Sequence, residues 1–216
     1  MDFARARDFM VESQVRPSDV TDPRIIAAMR TLPRERFVPA PKRTLAYGDL
    51  EVEVAPGRTL MSPRDLSKLI MNLAPQSNER ALEIAGATGY GAAVLAACCK
   101  HVITLDPQPD LSFAAQAALE SCGVANVKAV STAAVDGWAD EGPYDVILLN
   151  GSAEVVPDAW LAQLAPGGRL GVIVRQGAAG SARIYTRADD ATAYRSAFDA
   201  APPIAPGLSK PPSFAF

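Results

Sequence analysis

Apolar positions recur at helical spacing in the first part of the chain. Residues 2–15, 22–31 and 63–73 each place apolar side chains three or four positions apart. This spacing predicts three helices with one buried face each. Pro23 suits the first turn of the second helix, because that turn does not use its backbone N–H groups. The segment from 39 to 63 is rich in proline and glycine, which indicates loops with one short strand at 50–54.

After residue 80, short apolar runs alternate with helical patterns. Five of the runs predict strands: 81–85, 101–106, 126–131, 144–150 and 169–174. Helical patterns lie between them at 90–99, 109–123 and 158–168. Two more strands, at 183–188 and 194–199, are expected to form an antiparallel edge. This alternation predicts an α/β fold with a doubly wound, mostly parallel sheet.

The predicted organisation has three parts. Residues 1–62 form an N-terminal extension of helices and loops, and residues 63–200 form the α/β domain. Residues 201–216 form a proline-rich tail that is expected to lie extended over the body.

Composition narrows the class of protein. The chain has 216 residues and a net charge of −3, and its Lys and Arg residues are scattered, so we expect no nucleic-acid partner. No apolar run reaches about 18 residues, so no membrane span is predicted. The charged N-terminus is unlike a signal peptide, and we therefore expect a cytoplasmic protein.

The sequence gives little support for a metal site or for a catalytic nucleophile. His101 is the only histidine and precedes an apolar run, which favours a position at the edge of a strand. The three cysteines have no spacing typical of a metal site. A metal centre or a Ser–His–Asp mechanism is therefore not expected.

The segment that joins the first strand to the following helix is the candidate for a cofactor loop. Ligands of open α/β sheets bind at the carboxyl ends of the strands. Asp106 ends the second strand 21 residues after Ala85, where a carboxylate can accept hydrogen bonds from ribose hydroxyls. A dinucleotide would need G-x-G-x-x-G, which is absent. The usual pattern of S-adenosylmethionine (SAM) sites is E-x-G-x-G-x-G, and Glu83, Gly86 and Gly89 remain in that neighbourhood. The alternatives are a solvated Glu83 at the strand end and an Asp106 that caps the next helix.

Four stretches, in this order and spacing, carry a resemblance to the protein-L-isoaspartate O-methyltransferase family. They are SQVRPSDVTDPRIIAAMRTLPRERFVP (13–39), AYGDLEVEVAPGRTLMSP (46–63), ALEIAGATGYGAAVLA (81–96) and YDVILLNGSAEVVPDAWLAQLAPGGRL (144–170). The resemblance implies a seven-stranded, Rossmann-like methyltransferase sheet and SAM as the cofactor. It also implies methylation of the α-carboxylate of isoaspartyl residues in proteins, a repair reaction.

The resemblance assigns cofactor contacts to nine positions: Glu83, Ala85, Gly86, Ala87, Gly89, Tyr90, Asp106, Ala133 and Asn150. Three of these positions depart from the family. Ala85 and Ala87 replace loop glycines, and Ala133 replaces the acid that would accept from the adenine amino group. Asn150 is either a ligand contact or a turn residue.

The substrate side also departs from the family pattern. The family's serine before the conserved proline falls on Met61, which cannot donate a hydrogen bond. The candidates for orienting a substrate carboxylate are then Thr59 and Ser62, although Ser62 is also a candidate cap for the helix at 63–73. Two hypotheses follow: a SAM-dependent isoaspartyl methyltransferase, and a non-catalytic relative (a pseudoenzyme) with weakened SAM binding that acts as an interaction module.

Overall fold

The computed structural model describes residues 1–188 and 191–210. Its helices α1 to α6 span Phe3–Met10, Pro23–Thr31, Pro63–Leu73, Tyr90–Ala96, Pro109–Ser121 and Asp158–Ala162. Its strands β1 to β9 span Val52–Ala55, Arg58–Leu60, Arg80–Ile84, His101–Asp106, Val127–Ser131, Tyr144–Ala153, Leu164–Gln176, Ala179–Ala188 and Ala191–Asp199. In this part of the chain no helix has the length and apolar character needed to cross a membrane.

The main sheet has seven strands in the order β5-β4-β3-β6-β7-β8-β9. The first five pair in parallel, and β7, β8 and β9 form an antiparallel meander at one edge. The predicted seven-stranded, mostly parallel sheet is therefore confirmed. The central strands β3 and β6 are buried on both faces because helices or chain segments cover each side, as is usual for parallel sheets.

The N-terminal helices follow the predicted pattern with different ends. The predicted helix at 2–15 is regular only through α1 and then continues as a wider turn at 11–15. Helix α2 begins at Pro23, and the Asp22 side chain caps it by accepting from the Arg24 backbone N–H. These helices pack against α3 and α4 and bury one large apolar cluster on that face of the sheet.

Two further elements differ from the prediction. The short strand expected at 50–54 is half of a hairpin, β1–β2, which lies outside the main sheet. The helix expected at 158–168 ends at Ala162, and the chain joins β7 from Leu164 onwards. Proline and glycine at 166–168 cannot continue a helix, and Gly167 adopts a φ of +78° that suits glycine.

Trp160 anchors the opposite face of the sheet. Its side chain is fully buried among apolar residues, and Nε1 donates to the carbonyl oxygen of Ala134 at 2.8 Å. Replacing Trp160 with phenylalanine keeps most of the apolar volume and removes this donor. We expect the free energy of unfolding to fall by about 1–3 kcal/mol, measured by chemical denaturation. A loss no larger than that of an exposed aromatic substitution, such as Phe113→Leu, would contradict this role.

The described part of the tail crosses the carboxyl end of β6. Ser152 Oγ donates to the Pro202 carbonyl oxygen at 2.7 Å, and its backbone N–H donates to the Pro203 carbonyl oxygen at 3.1 Å. Ala205 and Leu208 are buried in the apolar cluster on this face. The remainder of the predicted tail, residues 211–216, lies outside the described residues.

Candidate functional site

Three neighbouring strands end at one edge of the sheet. Strand β3 lies between β4 and β6. The chain runs from β3 to β4 and β5 on one side, and then crosses to β6 on the other side. The loop at 85–89 follows β3, Asp106 ends β4, and Asn150 lies near the end of β6. This is the topological switch point at which open α/β sheets bind ligands.

The loop at 85–89 uses left-handed backbone conformations. Ala85 has a φ of +57°, Ala87 has a φ of +52° and Gly89 has a φ of +86°. A residue with a side chain carries a cost of roughly 1–2 kcal/mol in this region relative to the right-handed one. The two alanines therefore accept a conformational strain that glycine would avoid at both positions.

Backbone and side-chain hydrogen bonds hold the loop in this shape. The Gly86 N–H donates to the Leu105 carbonyl oxygen at 2.9 Å, and the Ala87 N–H donates to Asp106 Oδ2 at 2.9 Å. Thr88 Oγ1 donates to the Phe37 carbonyl oxygen at 2.6 Å, which ties the loop to the N-terminal layer. The loop is thus bonded to β4 on one side and to the N-terminal layer on the other.

Glu83 lies below the loop and is fully buried. It pairs in register with Thr104 on β4, whose Oγ1 donates to Glu83 Oε2 at 2.7 Å. Oε1 has no hydrogen-bond partner among residues 1–188 and 191–210. Burial raises the pKa of Glu83 to about 8, and the hydrogen bond from Thr104 opposes this rise. Glu83 is therefore a neutral internal group near pH 7, and the alternative of a solvated strand-end acid is excluded.

Two glycines make room for Glu83. A methyl group on Gly86 would collide with the Thr104 hydroxyl and Glu83 Oε2, and one on Gly91 would collide with Glu83 Oε1. The glutamate, its threonine partner and these two glycines therefore form one packed unit under the loop.

Tyr90 begins α4 and is also buried, but its ring faces the N-terminal layer. The ring packs edge-on against Phe37 at 5.4 Å, and the Arg34 guanidinium lies 4.5 Å from its centre. Burial raises the pKa of Tyr90 to about 12. These contacts place Tyr90 in the core between the extension and the sheet.

Asp106 has 2% exposure and accepts hydrogen bonds on both oxygens. Oδ1 accepts from the Gln108 N–H at 3.0 Å, and Gln108, not Asp106, is the residue that precedes α5 as its cap. The interpretation of Asp106 as the helix cap is therefore wrong. Its Oδ2 instead accepts from the Ala87 N–H and from the side chain of Arg58.

Arg58, which belongs to none of the predicted site positions, fills the space between the strand ends. It is 2% exposed, and Nη2 donates to Asp106 Oδ2 and to the Ala85 carbonyl oxygen, each at 2.6 Å. The alternation along β2 was an available signal, because Arg58 and Leu60 share the buried face of that strand. A charged residue in such a register faces the body of the protein and needs a buried partner.

Asn150 joins the hairpin to the loop. Nδ2 donates to the carbonyl oxygens of Ala85 and Thr59, each at 3.0 Å, and Oδ1 accepts from the Met61 N–H at 3.3 Å. Asn150 is therefore a buried bridge within the strand and not a turn residue.

The residues predicted on the substrate side, Ser62 and Thr59, have different surroundings. Ser62 Oγ accepts from the Asp65 N–H at 3.1 Å and caps α3, so its hydroxyl is engaged with the helix. Met61 is buried, and its carbonyl oxygen accepts from Arg34 Nη2 at 2.7 Å. Thr59 lies on β2 and is partly exposed. A contact of Ser62 or Thr59 with a substrate remains a prediction.

The expected adenine side of the site is the short turn Ala134–Asp136. Ala133 is exposed at the start of a short turn, and Ala134 behind it accepts from Trp160. Gly207 of the tail lies near Val135, so the tail approaches this turn. The carboxylate of this turn is Asp136, which is exposed and stands three positions after Ala133.

The groups at the strand ends have the chemistry that SAM needs, but Arg58 occupies the space that SAM would fill. Asp106 offers a carboxylate for two ribose hydroxyls, and the Ala85 carbonyl oxygen offers an acceptor for an ammonium group. Arg58 occupies both acceptors, and Ala85 and Asp106 are almost inaccessible to solvent. The group therefore fits only when the Arg58 side chain is elsewhere.

The sequence matches a family model described as protein-L-isoaspartate(D-aspartate) O-methyltransferase over residues 6–199. It is 39% identical to the protein-L-isoaspartate O-methyltransferase of Rhodopseudomonas palustris over 161 residues, which is 74% of each chain. It is 34% identical to protein-L-isoaspartate O-methyltransferase 1 of Syntrophobacter fumaroxidans over 174 residues, which is 81% of each chain.

The fold is similar to two solved structures of the same description. One protein-L-isoaspartate O-methyltransferase aligns with a TM-score of 0.82 at 24% identity, over 94% of this chain and 67% of the other. A Plasmodium falciparum protein assigned to the same family, in complex with S-adenosyl-L-homocysteine, aligns with a TM-score of 0.77 at 17% identity. That alignment covers 92% of this chain and 97% of the other.

Proposed function

Because the chain belongs to the protein-L-isoaspartate O-methyltransferase family, we propose that it transfers a methyl group from SAM to the α-carboxylate of isoaspartyl residues in proteins. The family uses SAM and acts on proteins that contain isoaspartyl residues. The observation that carries the proposal for this chain is the placement of Asp106 and the Ala85 carbonyl oxygen at the switch point of the sheet.

Two groups of this chain would hold different parts of the cofactor. Asp106 would hold the ribose hydroxyls of SAM, and the Ala85 carbonyl oxygen would hold its ammonium group. Bound SAM supplies an activated methyl group. The acceptor carboxylate has an ordinary pKa near 4 and is already anionic at pH 7, so the protein needs no general base. Its contribution is to align the carboxylate with the methyl group and to exclude water.

A second candidate function is favoured by specific contacts. Arg58 holds the acceptors expected for SAM, Met61 is buried at the family's serine position, and Ser62 is engaged as a helix cap. A relative with these features would act as a binding module that no longer uses the cofactor.

Calorimetric titration and a methylation assay separate the two functions. We expect S-adenosyl-L-homocysteine to bind, and radiolabelled SAM to give a base-labile methyl ester on an isoaspartyl peptide. The matched control is the same peptide with an ordinary aspartyl linkage, which should remain unlabelled. Absence of binding at millimolar ligand would overturn the methyltransferase function. Binding without ester formation would leave the cofactor site and overturn the isoaspartyl substrate.

A further inference from the structure

Arg58 concentrates its hydrogen bonds on two acceptors at the end of the sheet. Nη2 lies 2.6 Å from Asp106 Oδ2 and 2.6 Å from the Ala85 carbonyl oxygen, and Nε lies 3.2 Å from Asp106 Oδ2. The Ala87 N–H also donates to this carboxylate oxygen. Oδ2 therefore already receives donors from two different residues, and the Gln108 N–H occupies the other oxygen.

The guanidinium and SAM offer the same kind of chemistry to these acceptors. SAM carries an ammonium group that suits a carbonyl oxygen, and two ribose hydroxyls that suit a carboxylate. One carboxylate oxygen has a limited number of acceptor positions, so Arg58 and the ribose hydroxyls cannot both be bound at full strength. The two groups compete for the same atoms.

We propose that Arg58 sets the cofactor affinity of this protein: its guanidinium closes the site, and SAM binds only when that side chain leaves Asp106 and Ala85. This inference rests on the proposed function, since it concerns the affinity of the same site. Arg58 is here a residue that determines affinity and takes no part in methyl transfer.

The hairpin β1–β2 provides a route for Arg58 to leave. Its turn at Pro56 and Gly57 is exposed, and a side chain on Gly57 would meet no atom within 4 Å. The base of the hairpin is fixed, because Asn150 binds the backbone of Thr59 and Met61. Arg58 lies between the exposed turn and the fixed base, so release requires its long side chain to rotate towards the turn while the strand remains docked.

The closed arrangement lowers the apparent affinity. A ligand that binds only the open form has its affinity reduced by the fraction of molecules that are open. A buried guanidinium held by three hydrogen bonds, two of them 2.6 Å long, keeps that fraction small. Removal of the guanidinium should restore the intrinsic affinity of the open site.

The test is calorimetric titration with S-adenosyl-L-homocysteine of the full chain and three variants. We expect Arg58→Gln to bind at least tenfold more tightly than the unmodified protein. Arg58→Lys should fall between the two, because the shorter ammonium cannot span both acceptors. The matched control is Lys42→Gln, which removes a cation that pairs with Glu53 on the outer side of the same hairpin and should leave affinity unchanged. Thermal unfolding followed by circular dichroism verifies that each variant is folded.

The outcomes separate this inference from the proposed function. Equal or weaker binding by folded Arg58→Gln would overturn the role of Arg58 and leave the methyltransferase function standing. If Arg58→Gln does not fold, the comparison between Arg58→Lys and the unmodified protein decides in the same way. Failure of the unmodified protein and every folded variant to bind at millimolar ligand would overturn both.

Discussion

Asp106→Asn is expected to lower the free energy of unfolding by about 3–5 kcal/mol. The change removes the charge that compensates Arg58, which is 2% exposed, and presents an amide where the Ala87 N–H and the Gln108 N–H need acceptors. A buried charge without its partner and a backbone donor without an acceptor are both strongly destabilising. Chemical denaturation at constant pH measures the effect.

A double-mutant cycle identifies the ion pair as the cause. Arg58→Gln combined with Asp106→Asn should cost clearly less than the sum of the two single changes, because the buried charges are removed together. Lys128→Gln, which breaks the surface pair with Glu141, serves as a control and should leave stability nearly unchanged. Additivity of the two site variants, or a loss below about 1 kcal/mol for Asp106→Asn, would show that the pair does not contribute as described.

Glu83→Gln is expected to change how stability depends on pH. Burial raises the pKa of Glu83 to about 8 in the folded protein, well above the value near 4.5 that the unfolded chain should show. Between these values the folded state holds one proton more than the unfolded state, so stability is fully present below about pH 4.5 and is lost as pH rises towards 8. The slope is about 1.4 kcal/mol per pH unit.

Glutamine is neutral in both states and should remove this slope. We therefore expect Glu83→Gln to gain on the order of 3–4 kcal/mol relative to the unmodified protein between pH 5 and pH 8. The measurement is the difference in unfolding free energy between the two proteins at several pH values, which cancels the other titrating groups. Glu120→Gln changes an exposed carboxylate on α5 and should give a flat difference. A flat difference for Glu83→Gln as well would mean that Glu83 is ionised in the folded protein.

These two predictions concern residues that the sequence located. Asp106 was found from its position at the end of a strand, because strand ends at a switch point are where ligands meet polar groups. Glu83 was found from the pattern of SAM loops. Their roles were less predictable. The burial of Glu83 depends on Thr104 from β4 and on the space left by Gly86 and Gly91, and no local pattern contains this information.

The sequence by itself determined the sheet and the loop. Apolar runs long enough for buried strands, proline at helix starts and glycine at helix ends specify local structure, and their alternation restricts the topology to a doubly wound sheet. The two elements that differed, the hairpin β1–β2 and the short α6, lie where proline and glycine compete with helical or extended patterns.

Only the tertiary structure decided what occupies the site. Arg58 is 27 residues from Ala85 and 48 residues from Asp106 along the chain, and its contacts arise because the hairpin folds across the end of the main sheet. Local sequence patterns report which face of a strand is buried, but not which distant atoms that face meets. The physical reason is that hydrogen-bond partners of a buried charge are selected by three-dimensional packing.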